Sequence, residues 1–169
     1  MKKHPVYQQY NYHKWANERV FDHLSQLPED VFTRQVDSVF ASVREVVVHI
    51  YLTDGMWLSV ISGDAFRNTM SVIKQLKNKS LEHNLEGLRK CYSEVAEGYD
   101  ALLNEQNDPD REITIEHPKY GKMESPVSSL ITHVVNHGTY HRGNITAMLR
   151  QQGHAGTPTD FVHYLFGTV

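Results

Sequence analysis

The chain of 169 residues has a single cysteine, no long apolar run and no excess of basic charge. One cysteine, Cys91, excludes an internal disulfide and is typical of a reducing compartment, so we expect a cytoplasmic protein with Cys91 in its core. No segment approaches the roughly 18–20 apolar residues of a membrane span. The first residues, Met-Lys-Lys-His-Pro, also lack the apolar stretch of a signal peptide. We therefore expect no membrane partner.

The charge balance argues against a nucleic-acid partner. Lysine and arginine number 17 against 20 aspartates and glutamates, which gives a formal net charge of −3. Proteins that bind nucleic acids usually concentrate basic residues on one face. The sequence also lacks a glycine-rich phosphate-binding loop and a Ser-His-Asp arrangement. Its chemistry must therefore come from other residues.

Histidine is abundant, and two of the 11 histidines, His137 and His141, are four residues apart. Residues at this spacing lie on one face of a helix with Cβ atoms roughly 5–6 Å apart. Two imidazoles placed in this way can bind one divalent ion without distortion of the backbone. Val134 and Ile145 extend the same face, so the pair should point into a core, where an unpaired imidazole is costly. The pattern predicts half of a metal site.

A third ligand should come from a facing helix. His49 lies on an apolar stripe that includes Val46, so it is also predicted to point inward. His133, one turn before His137, is an alternative ligand, but three stacked turns span about 12 Å, too far for one ion to bind all three histidines. From the residues alone, the pair is either His133 with His137 or His137 with His141.

Apolar periodicity predicts four long helices, at about residues 6–27, 42–61, 81–105 and 125–153. The second begins at a capping box from Ser42 to Glu45, and the fourth at Ser125, with Pro126 at the first helical position. Residues 64–80 show no clear period. The segment 112–123 alternates in polarity and predicts a short hairpin or extended excursion between the third and fourth helices. Together these features predict a single all-α domain over residues 1–169, an antiparallel four-helix bundle.

Motifs in three predicted helices and near the C-terminus carry a resemblance to a known family. They are Tyr10-Asn11 with Trp15-Ala-Asn17, His49 with Asp54 and Trp57, His133-Val-Val-Asn-His137 leading to His141-Arg142-Gly143, and Gly153 with Asp160-Phe161. Through nearly its whole length the chain resembles the DinB/YfiT-like superfamily of metal-dependent proteins. Members are four-helix bundles, often dimeric, with three histidine ligands. The resemblance therefore implies His49, His137 and His141 as ligands and a homodimer.

The resemblance also implies an activity. Some relatives are similar to transferases that join a low-molecular-weight thiol, such as bacillithiol, to an electrophile, so we expect a metal-dependent S-transferase with a small-molecule substrate. The alternatives are a metal-dependent hydrolase and a non-catalytic metal-binding stress-response protein. Three imidazoles on zinc or nickel leave an open coordination position for a thiolate or water, which favours an enzyme.

Three charged residues are candidates to support the ligands. Asp54, one turn beyond His49, could pair with Arg142 or orient a ligand, or it could remain solvated or lock the bundle together. Asp160 could fold back over the site as an acceptor or cap a terminal helical turn.

Tyr140 is predicted to pack rather than face the metal. The histidines that lie among polar neighbours or in loops are predicted to be exposed: His4, His13, His23, His83 and His117.

Overall fold

The computed structural model describes residues 4–105 and 108–167. Its elements, in chain order, are α1 (Pro5–Ser25), α2 (Glu29–Thr33), α3 (Val43–Ile61), α4 (Phe66–Leu81), α5 (Leu85–Glu105), β1 (Glu112–His117), β2 (Gly121–Pro126), α6 (Val127–Gln151) and α7 (Phe161–Phe166). The four long helices α1, α3, α5 and α6 form the predicted bundle. The short hairpin of β1 and β2 lies between α5 and α6, which confirms the predicted fold.

The helices that carry the predicted ligands are neighbours in the bundle. Helices α1 and α3 each pack against both α5 and α6, so the order around the core is α1, α5, α3, α6. The buried side chains between them include Tyr51, Tyr99, Ile131 and Met148, and Cys91 is buried in the same core, as predicted. Within the described part of the chain, no helix is both long and apolar enough to cross a membrane.

The two helix starts predicted from capping signals, at Ser42 and Ser125, have different outcomes. Ser42 Oγ accepts a hydrogen bond from the Glu45 N–H at 3.3 Å, as a capping box requires, although the Glu45 carboxylate accepts from Ala41 instead of Ser42. The predicted cap at Ser125 is wrong, because this residue pairs with Ile113 in the hairpin and β2 leads directly into α6. The N–H groups of Val127 and Ser128 donate instead to the carbonyls of Arg111 and Pro109, in the segment between α5 and β1.

Helix α4 was not predicted, and the third long helix begins at Leu85 rather than Leu81. The fully buried residues of α4 are the polar Thr69 and Ser80, whereas its Phe66 and Met70 are exposed, so the apolar residues of this segment do not mark its buried face. It packs on α3 through Leu76, which occupies the space of a missing side chain at Gly55: a Cβ there would lie 2.3 Å from Leu76 Cδ1. Phe66, Met70, Ile73 and Leu76 nevertheless recur at helical spacing, so this stripe could have indicated the helix.

Candidate metal centre

Three imidazoles converge between α3 and α6. Nε2 of His49 lies 3.0 Å from Nε2 of His137 and 3.2 Å from Nε2 of His141. One ligand atom of each histidine lies within 4.8 Å of the other two. Nitrogens that share one zinc ion at about 2.0–2.1 Å are roughly 2.8–3.4 Å apart for octahedral to tetrahedral angles. The spacing therefore fits three nitrogen ligands of one divalent ion.

The protonation of the three imidazoles suits metal binding. Burial, followed by the neighbouring His141 and His49, lowers the pKa of His137 to about 3. Burial also lowers the pKa of His49, with a further contribution from His141, and burial lowers that of His141. Asn144 Oδ1 can only accept, so His141 Nδ1 donates to it at 3.0 Å and Nε2 keeps its lone pair. At neutral pH the group is therefore uncharged and ready to donate lone pairs to a metal.

Aromatic side chains surround the imidazoles. The Phe40 ring lies 5.2 Å from the His49 ring and 5.5 Å from the His141 ring, measured between centroids. Trp57 packs on His133 at 5.0 Å. Of the two pairs left open by the sequence, the group within reach of His49 contains His141 and not His133.

Tyr140 does not pack as predicted. Its side chain is 67% exposed, although its ring makes an edge contact at 5.0 Å with the ring of the adjacent His141. Position 140 follows His137 by three residues, on the outer side of α6. The aromatic side chain therefore borders the candidate metal centre without closing it.

Comparison with known proteins identifies the family. Residues 1–168 match the DinB family. The chain belongs to the DinB family. It is 40% identical over 159 residues to Protein DinB of Bacillus subtilis (strain 168), a match that covers 94% of this chain and 92% of that relative. The fold is similar to the crystal structure of a DinB-like protein from Bacillus cereus ATCC 10987, with a TM-score of 0.60 and 19% identity over 90% of this chain and 94% of that one. The resemblance seen in the sequence motifs is thus confirmed.

Next to the imidazoles, this DinB-family chain buries His13, which was predicted to be exposed. His13 is 1% exposed, because α1 packs it against α6 at Gly138. The prediction of exposure was wrong, although His13 lies at helical spacing from the buried Tyr10 and Asn17 and this stripe could have indicated it. The other four histidines predicted to be exposed are half-buried: His4, His23, His83 and His117.

His13 connects the two helices that carry the metal-binding group. Its Nε2 lies 2.8 Å from Asp54 Oδ2 on α3, and its Nδ1 lies 3.4 Å from Arg142 Nη1 on α6. Arg142 Nη1 also donates to Asn17 Oδ1 at 2.9 Å. Asp54 and Arg142 are therefore joined through α1 rather than paired directly. This network links α3 to α6 beside the imidazoles.

Asp160 lies away from the three imidazoles. It is the N-cap residue of α7, but its side chain makes no capping hydrogen bond, and the carboxylate is 78% exposed at 3.7 Å from His163 Nε2. It lines a cleft on the far side of α6 from the imidazoles. In this structure Asp160 therefore neither covers the candidate metal centre nor caps α7 through its side chain.

Proposed function

We propose that His49, His137 and His141 bind one divalent ion, zinc or nickel, and that the protein is a metal-dependent enzyme acting on a small molecule. The observation that carries this proposal is the convergence of three neutral imidazoles from two helices, with Nε2 atoms 3.0 and 3.2 Å apart. Imidazole is a preferred ligand of both metals. His49 and His137 are only half-buried, so the group is open to the surface, as a catalytic site requires.

The reaction we propose is the transfer of a low-molecular-weight thiol, such as bacillithiol, to a small electrophile. A divalent ion, when bound, lowers the pKa of a thiol or water molecule and makes it a nucleophile at neutral pH. The chain itself contributes an apolar approach to the imidazoles. Phe40 packs on His49 and His141, and Trp57 packs beside them on His133. These aromatic faces favour an apolar or aromatic electrophile over a charged one.

The test is a conjugation assay on protein loaded with zinc or nickel. The sulfur of bacillithiol displaces chloride from chlorodinitrobenzene, the thiol proton goes to water, and the coloured thioether is followed by absorbance. We expect His141→Ala to reduce the rate to that of the uncatalysed reaction. His23→Ala is the matched control, because this imidazole lies outside the group and contacts the carbonyl of Ala155. Equal rates for the two variants would exclude thiol transfer with this pair of substrates.

A metal-dependent hydrolase is the second candidate, because half-buried imidazoles leave room for water as well as for a thiol. Hydrolysis of nitrophenyl acetate can be measured with the same two variants. A hydrolytic rate lost in His141→Ala and retained in His23→Ala would favour this candidate. One bound metal without turnover in either assay would instead indicate a metal-binding protein of the stress response.

We further propose that the protein is a cytoplasmic homodimer without nucleic-acid or membrane partners. The net charge of −3 argues against a nucleic-acid partner, and the buried Cys91, which forms no disulfide, is typical of a reducing compartment. The dimers found in the family that the chain resembles support the homodimer. Light scattering coupled to size-exclusion chromatography should give twice the chain mass of 19.5 kDa. A measured mass of one chain at micromolar concentration would refute the dimer.

A further inference from the structure

A cleft of about 660 Å³ lies on the side of α6 opposite the three imidazoles. Its walls are α6, the first half of α1 and the C-terminal segment 156–161. The segment is held to α1 by the Tyr12 hydroxyl, which donates to the Thr159 carbonyl at 2.8 Å. It approaches α6 closely at Gly156, where a Cβ would lie 2.5 Å from Thr146 Cγ2. The C-terminal segment is thus fixed against both α1 and α6.

Arg142 lines this cleft although it is only 2% exposed. Its Nη2 donates to Thr139 Oγ1 at 2.9 Å and lies 3.4 Å from the Tyr12 hydroxyl, and both partners also line the cleft. Nε shares one edge of the guanidinium with Nη2. It is buried and has no hydrogen-bond partner among residues 4–105 and 108–167. The edge of the guanidinium beside the cleft is therefore incompletely satisfied.

The charge of Arg142 also lacks a direct partner. None of the ion pairs in the described part of the chain includes Arg142, and Asp54 lies beyond His13. A buried guanidinium that touches only uncharged groups is costly. On the edge formed by Nε and Nη2, Nη2 already contacts Thr139 and Tyr12, so Nε is the donor that a carboxylate or phosphate oxygen would accept from. An anion in the cleft would supply both the missing acceptor and the missing charge.

The rest of the cleft is also suited to an anion. Arg150, two turns beyond Arg142, adds a second positive charge. Asp160 is the acidic residue of the lining, but its carboxylate is 78% exposed and lies 3.7 Å from His163 Nε2. Threonines recur at every seventh residue of α6 along the cleft: Thr132, Thr139 and Thr146. The hydroxyl protons of Thr132 and Thr139 go to acceptors of the chain itself, which leaves the Thr146 hydroxyl to donate to an anion. The two arginines thus outnumber the single carboxylate in a lining rich in hydroxyl groups.

We propose that this cleft binds a small organic oxyanion, a carboxylate or a phosphate ester, through Arg142 and Arg150 with the Thr146 hydroxyl as a neutral donor. Helix α6 separates the cleft from His137 and His141. The ligand of the cleft is therefore a second ligand, distinct from the molecule that reacts at the imidazoles. Its binding requires no metal, so the test is independent of the proposed enzymatic activity.

The test uses zinc-loaded protein and the same protein treated with a chelator. Each is titrated with succinate, with phenyl phosphate and with the neutral succinamide while amide proton–nitrogen correlation spectra are recorded. We expect at least one oxyanion to shift the amides of Gly143 and Thr157, equally with and without metal, and succinamide to shift neither. The oxyanion with the lower dissociation constant identifies the ligand as a carboxylate or a phosphate ester. Shifts that depend on metal or cluster around His49 would overturn the proposal.

Two arginine variants give a sharper test. Arg142→Gln removes the central contact but risks the fold, so Arg150→Gln, at an exposed position, is the main variant. Its dissociation constant for the oxyanion should rise about two- to fivefold, as expected for one partly solvated charge pair. Arg67→Gln, at an exposed position of α4, removes one positive charge far from the cleft and should leave the dissociation constant unchanged. Equal affinities of the two variants, or no binding of either oxyanion at millimolar concentration, would overturn the proposal.

Discussion

Two glycines of α6 should respond in opposite ways to the same substitution. A Cβ at Gly138 would lie 2.3 Å from Cε1 and 2.7 Å from Nδ1 of His13, and 2.9 Å from Arg142 Nη1. A Cβ at Gly143 would meet no atom within 4 Å. Alanine at position 143 should therefore be accommodated without movement, whereas alanine at position 138 must displace the buried imidazole of His13 or separate α1 from α6.

The magnitudes follow from helix propensity and packing. Gly143→Ala should raise the free energy of unfolding by about 0.5–1 kcal/mol, because alanine restricts the unfolded chain and favours the helix. Gly138→Ala has the same gain, but overpacking of a buried contact costs about 1–3 kcal/mol. If displacement of His13 breaks its bond to Asp54, the carboxylate loses its partner and the cost rises toward 3–5 kcal/mol. The second variant should thus be less stable than the first by at least about 1 kcal/mol.

Urea unfolding of the metal-free protein, followed by far-UV circular dichroism, measures both values by linear extrapolation. The two variants share one helix and one substitution, so each is the control for the other. Equal free energies of unfolding for Gly138→Ala and Gly143→Ala would refute the packing of His13 against α6 and with it the network between α3 and α6.

Three further changes test the candidate metal centre and its support. His137→Ala should abolish the binding of one zinc ion in calorimetry and cost little stability, because the side chain is half-buried; loss of the fold would instead indicate a structural metal. In metal-free folded protein, the pKa of His137 is lowered to about 3 from the ordinary 6.5, and the pKa values of His49 and His141 are also lowered. At acidic pH the unfolded state therefore binds more protons than the folded state. Stability should therefore fall as pH drops below 6.5, less steeply in His137→Ala than in the unchanged chain; equal slopes in thermal melts would contradict this. His13→Ala should lower the free energy of unfolding by about 3–5 kcal/mol, because it leaves the charges of Asp54 and Arg142 without their partner, and it should weaken zinc binding. A loss of stability no larger than that of His23→Ala would show that the network around His13 contributes nothing.

The long helices could be predicted because each carries its own apolar stripe, as α1 does from Val6 to Leu24. Helix α4 also has apolar residues at helical spacing, but its buried face could not be predicted, since it buries Thr69 and Ser80 and packs through Leu76 into the space at Gly55. The start of α6 depended on strand pairing of Ser125, which is a contact between distant residues. Local periodicity therefore determined the bundle, and contacts between elements determined its exceptions.

The candidate metal centre divides in the same way. The spacing of His137 and His141 places two imidazoles on one face of a helix by backbone geometry alone. Whether His49 reaches His141 or His133 depends on how α3 is positioned along α6, which is set by many packing contacts and by no single motif.

The burial of His13 shows the limit most clearly. Its place on the stripe of Tyr10 and Asn17 is a property of the sequence, but polar neighbours make that stripe ambiguous. Only the packed structure brings Gly138 opposite His13, where the missing side chain leaves room for the ring, and brings Asp54 and Arg142 within reach of its two nitrogens. Spacing within one helix follows from covalent geometry, whereas contacts between helices require the whole core to be assembled.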